Sequence, residues 1–212
     1  YTIGIDELSK MESKIKAFPW PVYKIKLGTD DDLSIVQALR KITDAVFRVD
    51  ANCAWTAAQT IEYAKSFKEL GVEFIEQPLA AGDWEGMAEV YKHSTLPIMA
   101  DESCIEMTDV ARCKGYFHGV NIKLMKCGGL LVARKMIAQA QSFGLKVMVG
   151  CMTESSVGIS AISQLFPLLD YVDIDGPLLI RADIASGPRY HKGKVMLSSE
   201  NGIGVVMHTH WL

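Results

Sequence analysis

The alternation of short Val- and Ile-rich runs with longer segments of helical period constrains this fold more than any other feature of the sequence. Eight runs have the length and composition of strands: Thr2–Ile5, Tyr23–Leu27, Phe47–Asp50, Phe74–Glu76, Ile98–Ala100, Gly119–Lys123, Lys146–Gly150 and Tyr171–Ile174. Seven segments between them predict helices: Glu7–Ala17, Asp32–Thr43, Thr56–Leu70, Trp84–His93, Thr108–Tyr116, Leu130–Phe143 and Val157–Leu168. Because helical crossovers join parallel strands, we expect an α/β fold with a parallel sheet.

Eight strands and seven helices fit a TIM-type (β/α)7β barrel more economically than an open sheet. Such barrels usually need about 250 residues, so a chain of 212 residues makes a lean one. We expect the barrel to span residues 1–177. After Pro177 the alternation stops. The glycine-containing tail 178–212 is predicted to be irregular or hairpin structure that packs against something other than the barrel interior.

Charge and cysteine content exclude several classes of protein. The net charge of −3 gives no sign of a nucleic-acid or anionic-membrane partner. The longest charge-free run, Ser155–Leu169, is too short and too polar to span a bilayer. The five cysteines are odd in number and never spaced C-x-x-C, which indicates reduced thiols and a cytoplasmic location. The chain starts at Tyr1 directly on a strand pattern, so we expect a longer protein.

Three carboxylates end neighbouring strands at a regular interval. Asp50, Glu76 and Asp101 lie 26 and 25 residues apart, which is the length of one strand-and-helix unit. Barrel enzymes place their chemistry at the carboxyl ends of the strands, so these side chains should meet at one mouth. Bare carboxylates would repel one another there. A hard divalent cation with oxygen ligands (Mg²⁺, Mn²⁺ or Ca²⁺) resolves the repulsion.

Lysines embedded in apolar strands complete the pattern. Lys24 and Lys26 are two residues apart and point to the same side of the second strand. Two ammonium groups so close lower the pKa of a lysine toward the range of a general base. Lys123 ends the sixth strand, across the mouth from Lys26. Lysines that face each other over a metal site indicate removal of a proton from one face of a carbon and its return to the other, through an enediolate that the cation stabilises.

Taken in order, these motifs resemble the muconate-lactonizing subgroup of the enolase superfamily. The matching segments are Lys24-x-Lys26, Asp50-Ala51-Asn52, Glu76-Gln77-Pro78, Asp101-Glu102-Ser103 and Asn121-Ile122-Lys123. The resemblance covers the whole barrel and implies the catalytic C-terminal domain of that superfamily. The family also has an N-terminal capping domain that closes over the barrel mouth. We expect that domain to be absent from this chain, to be its partner, and to receive the tail 178–212.

The resemblance also implies roles for the site residues. One Mg²⁺ per active site would have three carboxylate ligands and two supporting neighbours: Asp50, Glu76 and Asp101 as ligands, with Asn52 and Glu102 behind them. Lys26 and Lys123 would be the two bases of a 1,1-proton transfer at the carbon next to the substrate carboxylate. Lys24 would bind that carboxylate and tune Lys26.

The last two strands carry the resemblance to dipeptide epimerases within that subgroup. Asp173 and Asp175 resemble the D-x-D motif that binds the N-terminal ammonium of the substrate, and two carboxylates on one side of a strand do form a cation site. Cys151 and Thr153 lie in a segment that resembles the wall of the dipeptide pocket. The implied activity is Mg²⁺-dependent epimerisation of dipeptides. The specific expectation is the L-Ala-D/L-Glu type of murein peptide recycling.

Two alternatives stay open at this point. An o-succinylbenzoate synthase, N-acyl amino acid racemase or cycloisomerase would use the same metal and lysines, although its substrate lacks the ammonium group that Asp173 and Asp175 would bind. A non-catalytic metal-binding barrel subunit is the second alternative, but metal binding alone needs neither Lys26 nor Lys123. The sequence leaves open whether copies assemble as a homo-oligomer.

Overall fold

Eight parallel strands, hydrogen bonded in chain order, form the body of the protein. The computed structural model describes residues 1–191 and 193–209. The strands are β1 (Thr2–Ile3), β2 (Val22–Lys26), β3 (Val46–Asp50), β4 (Val72–Glu76), β5 (Ile98–Ala100), β6 (Gly119–Lys123), β7 (Lys146–Gly150) and β8 (Tyr171–Asp173). This curled sheet confirms the predicted (β/α)7β barrel class. Asp175 links the two ends of the strand order, because its carboxylate accepts from the backbone N–H and the hydroxyl of Thr2, at 2.6 and 3.2 Å.

Helices connect the strands as predicted, with differences at their ends. They are α1 (Leu8–Ala17), α2 (Asp32–Arg40), α3 (Ala57–Glu69), α4 (Trp84–His93), α5 (Asp109–Cys113), α6 (Leu124–Cys127), α7 (Leu130–Ser142) and α8 (Ser156–Ser163). The one-turn helix α6 was not predicted. The predicted helix to Leu168 stops at Ser163, because Pro167 cannot continue an α-helix and the chain forms a separate 3₁₀ turn at Phe166–Leu168.

Local signals in the sequence account for where these helices begin. Thr56 caps α3 through a capping box with Gln59, in which each side chain accepts a bond from the backbone N–H of the other residue, at 3.3 and 2.9 Å. At α2 the buried Asp32 carboxylate accepts from the backbone N–H groups of Gly28 and Thr29 and from the indole of Trp55. That carboxylate therefore holds the loop that follows Lys26.

Inside the barrel, an apolar layer lies beneath a charged one. Phe74, Met99 and Met148 form a small buried cluster with Tyr171. The Arg48 guanidinium covers the rings of Phe74 and Tyr171, at 5.3 and 4.9 Å from their centroids. The main hydrophobic core lies between the sheet and the helices. The charged side chains at the carboxyl ends of the strands therefore stand on an apolar floor.

The tail forms short antiparallel strands, so its predicted hairpin character is confirmed. β10 (Arg189–His191) pairs with β11 (Lys194–Met196), and β9 (Ala185–Ser186) pairs with β12 (Val206–Met207). The Tyr190 hydroxyl donates to the backbone oxygen of Ile174 at 2.6 Å, which fixes the hairpin beside the end of β8. Residues 192 and 210–212 of the predicted tail lie outside the described residues. The division into 1–177 and 178–212 stays a prediction. In the described part of the chain, no helix is long and apolar enough to cross a bilayer.

Candidate active site

The carboxyl ends of the strands surround a cavity of about 280 Å³. Most of the predicted site residues line it: Lys24, Lys26, Asn52, Glu102, Lys123, Cys151, Thr153, Asp173 and Asp175. The three predicted metal ligands, Asp50, Glu76 and Asp101, lie beneath it and are fully buried. The structure thus brings all the predicted residues together at one mouth of the barrel.

Strand register explains this convergence. Lys26 pairs with Asp50 across β2 and β3, and Asp50 pairs with Glu76 across β3 and β4. On the other side, Gly150 lies between Lys123 on β6 and Asp173 on β8. Since β2 and β6 are four strands apart in the order of the sheet, their lysines rise from opposite walls.

Lysine ammonium groups contact the Oδ2 or Oε2 atom of each of the three predicted metal ligands. Lys24 Nζ lies 3.0 Å from Asp50 Oδ2, 2.8 Å from Glu76 Oε2 and 2.9 Å from Asp173 Oδ2. Lys26 Nζ also lies 2.6 Å from Asp50 Oδ2. Across the mouth, Lys123 Nζ lies 2.6 Å from Asp101 Oδ2. Glu76 Oε2 is buried, and in the described structure its partner is the Lys24 ammonium group, which it contacts as an ion pair.

A different donor holds the second oxygen of each carboxylate. The backbone N–H of Asn52 donates to Asp50 Oδ1 at 3.0 Å. The Asn121 amide donates to Glu76 Oε1 at 2.7 Å, and Lys126 donates to Asp101 Oδ1 at 2.8 Å. Sequence analysis gave no role to Lys126, nor to Asn121 beyond its place in the matching segment Asn121-Ile122-Lys123. Their signals were present, because Asn121 is two residues before Lys123 on the inward side of β6 and Lys126 follows on α6.

The electrostatics differ from the expectation for Lys24. Two neighbouring ammonium groups were predicted to lower a lysine pKa, but the pKa of Lys24 is raised well above its usual value. Burial lowers it, and Asp173, Glu76 and Asp50 together outweigh that effect. Asp101 likewise raises the pKa of Lys123 against the opposing effect of burial. The expectation of a lowered pKa is wrong for Lys24, because the carboxylates that contact its ammonium group raise its pKa more than burial lowers it.

The carboxylates themselves respond in opposite directions. Burial, reinforced by the neighbouring carboxylates Asp50, Asp101 and Asp173, raises the pKa of Glu76 to about 7, although Lys24 acts against it. For Asp50, burial is outweighed by Lys24 and Lys26, which lower its pKa to about 2. A buried carboxyl group with a raised pKa lacks sufficient positive charge nearby. Glu76 is therefore the group that gains most from an added cation.

The donor set fits a hard cation, although the side chains do not already form a cation-binding cluster. Three buried carboxylates provide only oxygen ligands, which Mg²⁺ prefers. Among residues 1–191 and 193–209, no three His, Cys, Asp or Glu side chains converge in an arrangement that could hold a metal ion. The physical reason is that each inner oxygen turns toward a lysine ammonium group. Asp50, Glu76 and Asp101 would hold a cation once those lysines release them.

Two loops fix the ends of β3 to β5. The fully buried Gln77 follows Glu76 with a positive φ of 33°. Its amide oxygen accepts from the backbone N–H groups of Asp101 and Ser103, both at 3.0 Å. The side chain therefore ties the end of β4 to the end of β5. Asn52 also has a positive φ, of 43°, and its amide bridges Lys26 and Glu102. Such backbone conformations concentrate at functional sites.

The wall at β7 and β8 is acidic and carries a neutral thiol. Asp173 pairs with Lys24, while the buried Asp175 is engaged by Thr2 and has a pKa raised by burial and by Asp173. Burial, together with Asp173, raises the pKa of Cys151 to about 12. Cys151 is thus a thiol at neutral pH and can form part of the wall, but not act as a nucleophile. Thr153 is exposed at the rim.

The sequence profile of the Enolase C-terminal domain-like family matches residues 8–211, and the chain belongs to that family. It is 58% identical over 207 residues to the L-Ala-D/L-amino acid epimerase of Flavobacterium johnsoniae, a match that covers 98% of this chain and 62% of that protein. It is 43% identical over 209 residues to the L-Ala-D/L-Glu epimerase of Bacteroides thetaiotaomicron, covering 97% and 55%. The chain therefore spans less than two thirds of the length of these relatives.

Solved structures agree with this assignment. A substrate-liganded complex of the L-Ala-D/L-Glu epimerase from Bacillus subtilis has a TM-score of 0.92 at 29% identity, over 98% of this chain and 62% of that one. A dipeptide epimerase from Enterococcus faecalis in complex with Mg and the dipeptide L-Leu-L-Tyr has a TM-score of 0.90 at 32% identity, over the same shares. The N-succinyl Arg/Lys racemase from Bacillus cereus has a TM-score of 0.91 at 30% identity, over 99% and 60%. The TM-scores and identities are nearly equal for the epimerases and the racemase. Only the residues of the site can distinguish these activities.

Proposed function

We propose that this chain carries the active site of a dipeptide epimerase that moves the α-proton next to the substrate carboxylate and requires Mg²⁺. The observation that carries the proposal is the pair of lysines on opposite walls, Lys26 and Lys123, above three buried carboxylates. Two bases on opposite faces of one carbon are what a 1,1-proton transfer needs. A barrel that only bound metal would have no use for them.

Each residue has a part in this reaction. Asp50, Glu76 and Asp101 would hold one Mg²⁺, supported by Asn52 and Glu102; when bound, the ion makes a proton next to a carboxylate removable. Lys26 would take the α-proton of one epimer while Lys123 returns a proton to the opposite face, and the roles reverse for the other epimer. Lys24 would hold the substrate carboxylate.

Asp173 and Asp175 favour a dipeptide over an N-acylated amino acid. They form an acidic wall beside the cavity, with Asp173 at the end of β8 and Asp175 two residues later, and an acidic wall recognises the free ammonium group of a dipeptide. An N-acyl amino acid, like the substrate of an o-succinylbenzoate synthase or a cycloisomerase, has no free N-terminal ammonium group. Cys151 and Thr153 would contact the dipeptide, and the specific proposal is an L-Ala-D/L-Glu type substrate of murein recycling.

Replacement of each base tests the proton transfer. Lys26→Ala and Lys123→Ala should each abolish epimerisation, and in heavy water each variant should exchange the α-proton of one epimer only, the two variants choosing opposite epimers. Mg²⁺ binding should persist in both. Full two-way epimerisation in both variants would exclude the two-base reaction. The assay belongs on the protein at its natural length.

Replacement of Asp173 tests the choice of substrate. Asp173→Ala should raise KM for dipeptides more than KM for N-acylated amino acids, because loss of its contact with Lys24 affects both classes and loss of the ammonium site affects dipeptides only. Thr153→Ser is the matched control on the same wall, because it keeps the charge around the ammonium group unchanged. Equal changes of KM for both substrate classes would remove the ammonium-binding assignment.

The wider setting of the protein belongs to the same proposal. We infer a capping domain of the same protein over the mouth, with the tail 178–212 returning toward it. All five cysteines are unpaired, which supports a cytoplasmic location. The state of assembly is open to measurement by light scattering.

A further inference from the structure

Asn121 is a buried polar side chain to which the proton transfer gives no role. It lies on β6, is fully inaccessible to solvent, and donates its amide N–H to Glu76 Oε1 at 2.7 Å. Its own amide oxygen is buried and has no hydrogen-bond partner in the described structure. A buried polar atom without a partner costs free energy. An amide kept at that cost needs a reason beyond packing.

The surrounding backbone fits closely around this amide. Gly150 on β7 lies beside it, and a Cβ built on Gly150 would approach Asn121 Oδ1 to 2.6 Å and Nδ2 to 2.8 Å. The φ of Gly150 lies outside the left-handed region, so the glycine is not required for a turn. Its missing side chain makes room for the amide that donates to Glu76.

The hydrogen bond from Asn121 gives the two carboxylate oxygens of Glu76 different partners. Oε1 accepts a hydrogen bond from the neutral Asn121 amide, whereas Oε2 contacts the Lys24 ammonium group as an ion pair. The corresponding Oδ1 atoms of the other two ligands, which we call their outer oxygens, have different donors. A backbone N–H donates to Asp50 Oδ1, and Lys126 donates to Asp101 Oδ1. Among the three proposed ligands in the described residues, Glu76 alone has its outer oxygen held by a neutral side chain, which can be replaced without changing the charge of the site.

We propose that Asn121 is a positioning residue that holds Glu76 Oε1 and so presents Oε2 alone to the cation. The inference rests on the proposed Mg²⁺ site. A hydrogen bond that occupies one carboxylate oxygen favours binding of a metal through the other oxygen, which would suit the small Mg²⁺ ion. A carboxylate freed from that hydrogen bond can bind through both oxygens, which suits the larger Ca²⁺ ion. Asn121 therefore contributes to metal selectivity as well as to affinity.

The test is the affinity of Asn121→Leu and Asn121→Ala for Mg²⁺ and for Ca²⁺, measured by titration calorimetry on the metal-free protein. Removal of a residue that orients a metal ligand typically weakens metal binding about 10- to 100-fold. We expect Kd for Mg²⁺ to rise by that factor and Kd for Ca²⁺ to rise less, so that the preference for Mg²⁺ over Ca²⁺ falls. Two variants of different size protect the test against misfolding of one.

A control at the opposite end of the barrel separates positioning from stability. The Arg40 guanidinium donates to the backbone oxygens of Leu70, Thr43 and Ala45. Arg40→Met should lower the urea midpoint without changing either Kd. An unchanged Mg²⁺-to-Ca²⁺ preference in the Asn121 variants, with Kd within twofold of the wild type, would overturn the inference. Absence of Mg²⁺ binding in the wild-type protein would instead overturn the proposed metal site.

Discussion

Gly150→Ala should disturb the proposed metal site through a single methyl group. The alanine is compatible with the backbone, because the φ of Gly150 lies outside the left-handed region. Its Cβ would nevertheless lie 2.6 Å from Asn121 Oδ1, where ordinary contact begins at 3.4 Å. The amide must therefore retreat by about 0.8 Å. A displacement of that size disturbs the geometry of the 2.7 Å hydrogen bond from Asn121 Nδ2 to Glu76 Oε1.

Two opposing contributions determine the expected stability. Overpacking of a buried site costs about 1–3 kcal/mol, while replacement of glycine by alanine restricts the unfolded chain and returns about 0.4–1 kcal/mol. We expect the free energy of unfolding to fall by about 1–2 kcal/mol. If Asn121 orients Glu76, Kd for Mg²⁺ should rise about tenfold or more in the same variant.

A double-mutant cycle with Asn121→Ala provides the assay. Urea unfolding and Mg²⁺ titration are measured on both single variants and on the pair. Because Asn121→Ala removes the atoms that the new Cβ meets, the coupling in stability should exceed about 1 kcal/mol. Gly82→Ala is the control, since a Cβ there meets nothing within 4 Å. Additive effects, within about 0.5 kcal/mol, would refute the reasoning.

Three further predictions follow from single sites. Since burial raises the pKa of Glu76 to about 7, Mg²⁺ must displace a proton from Glu76 below that pH. Calorimetry in buffers of different ionisation enthalpy should therefore detect release of nearly one proton at pH 6 and almost none at pH 8. A Mg²⁺ affinity that does not depend on pH would contradict this prediction. Asp32→Ala leaves the buried indole N–H of Trp55 and two backbone N–H groups unpaired, so urea unfolding should show a loss of about 3 kcal/mol or more; a loss below about 1 kcal/mol would exclude that role. Thr56→Ala removes the capping box of α3 and should cost about 1 kcal/mol in the same assay, whereas Thr43→Ala should cost less.

The sequence predicted the fold and which side chains lie together at the mouth of the barrel, because both depend on local patterns. Val- and Ile-rich runs locate strands, and a carboxylate or lysine that follows such a run lies at the carboxyl edge of a parallel sheet. Asp50, Glu76 and Asp101 are examples of this, and so is the separation of Lys26 from Lys123. The ends of helices were predicted less accurately. The apolar pattern continues beyond Ser163 and predicts a longer helix, but the proline four residues later ends the helix there.

The contacts within the site could not be predicted, since they depend on distances between strands. Nothing in the spacing of Asn121 indicates that its amide reaches Glu76, 45 residues away. The role of Gly150 likewise depends on a neighbour on the adjacent strand. The nearby ammonium group of Lys26 was expected to lower the pKa of Lys24, but carboxylates on β3, β4 and β8 raise it.

Lys24 is one of three lysines that neutralise the buried carboxylates of the charged layer. A barrel interior cannot hold several bare carboxylates, so the folded chain needs internal cations. Lys24, Lys26 and Lys123 provide them by contacting the inner oxygens that a metal would use. Binding of a divalent cation at those oxygens would withdraw Glu76 and Asp50 from Lys24 and Asp101 from Lys123, which now raise the pKa of these lysines, while Asp173 would stay beside Lys24. Metal affinity and lysine basicity are therefore linked: the ion that would acidify the substrate would also release the lysines that move its proton.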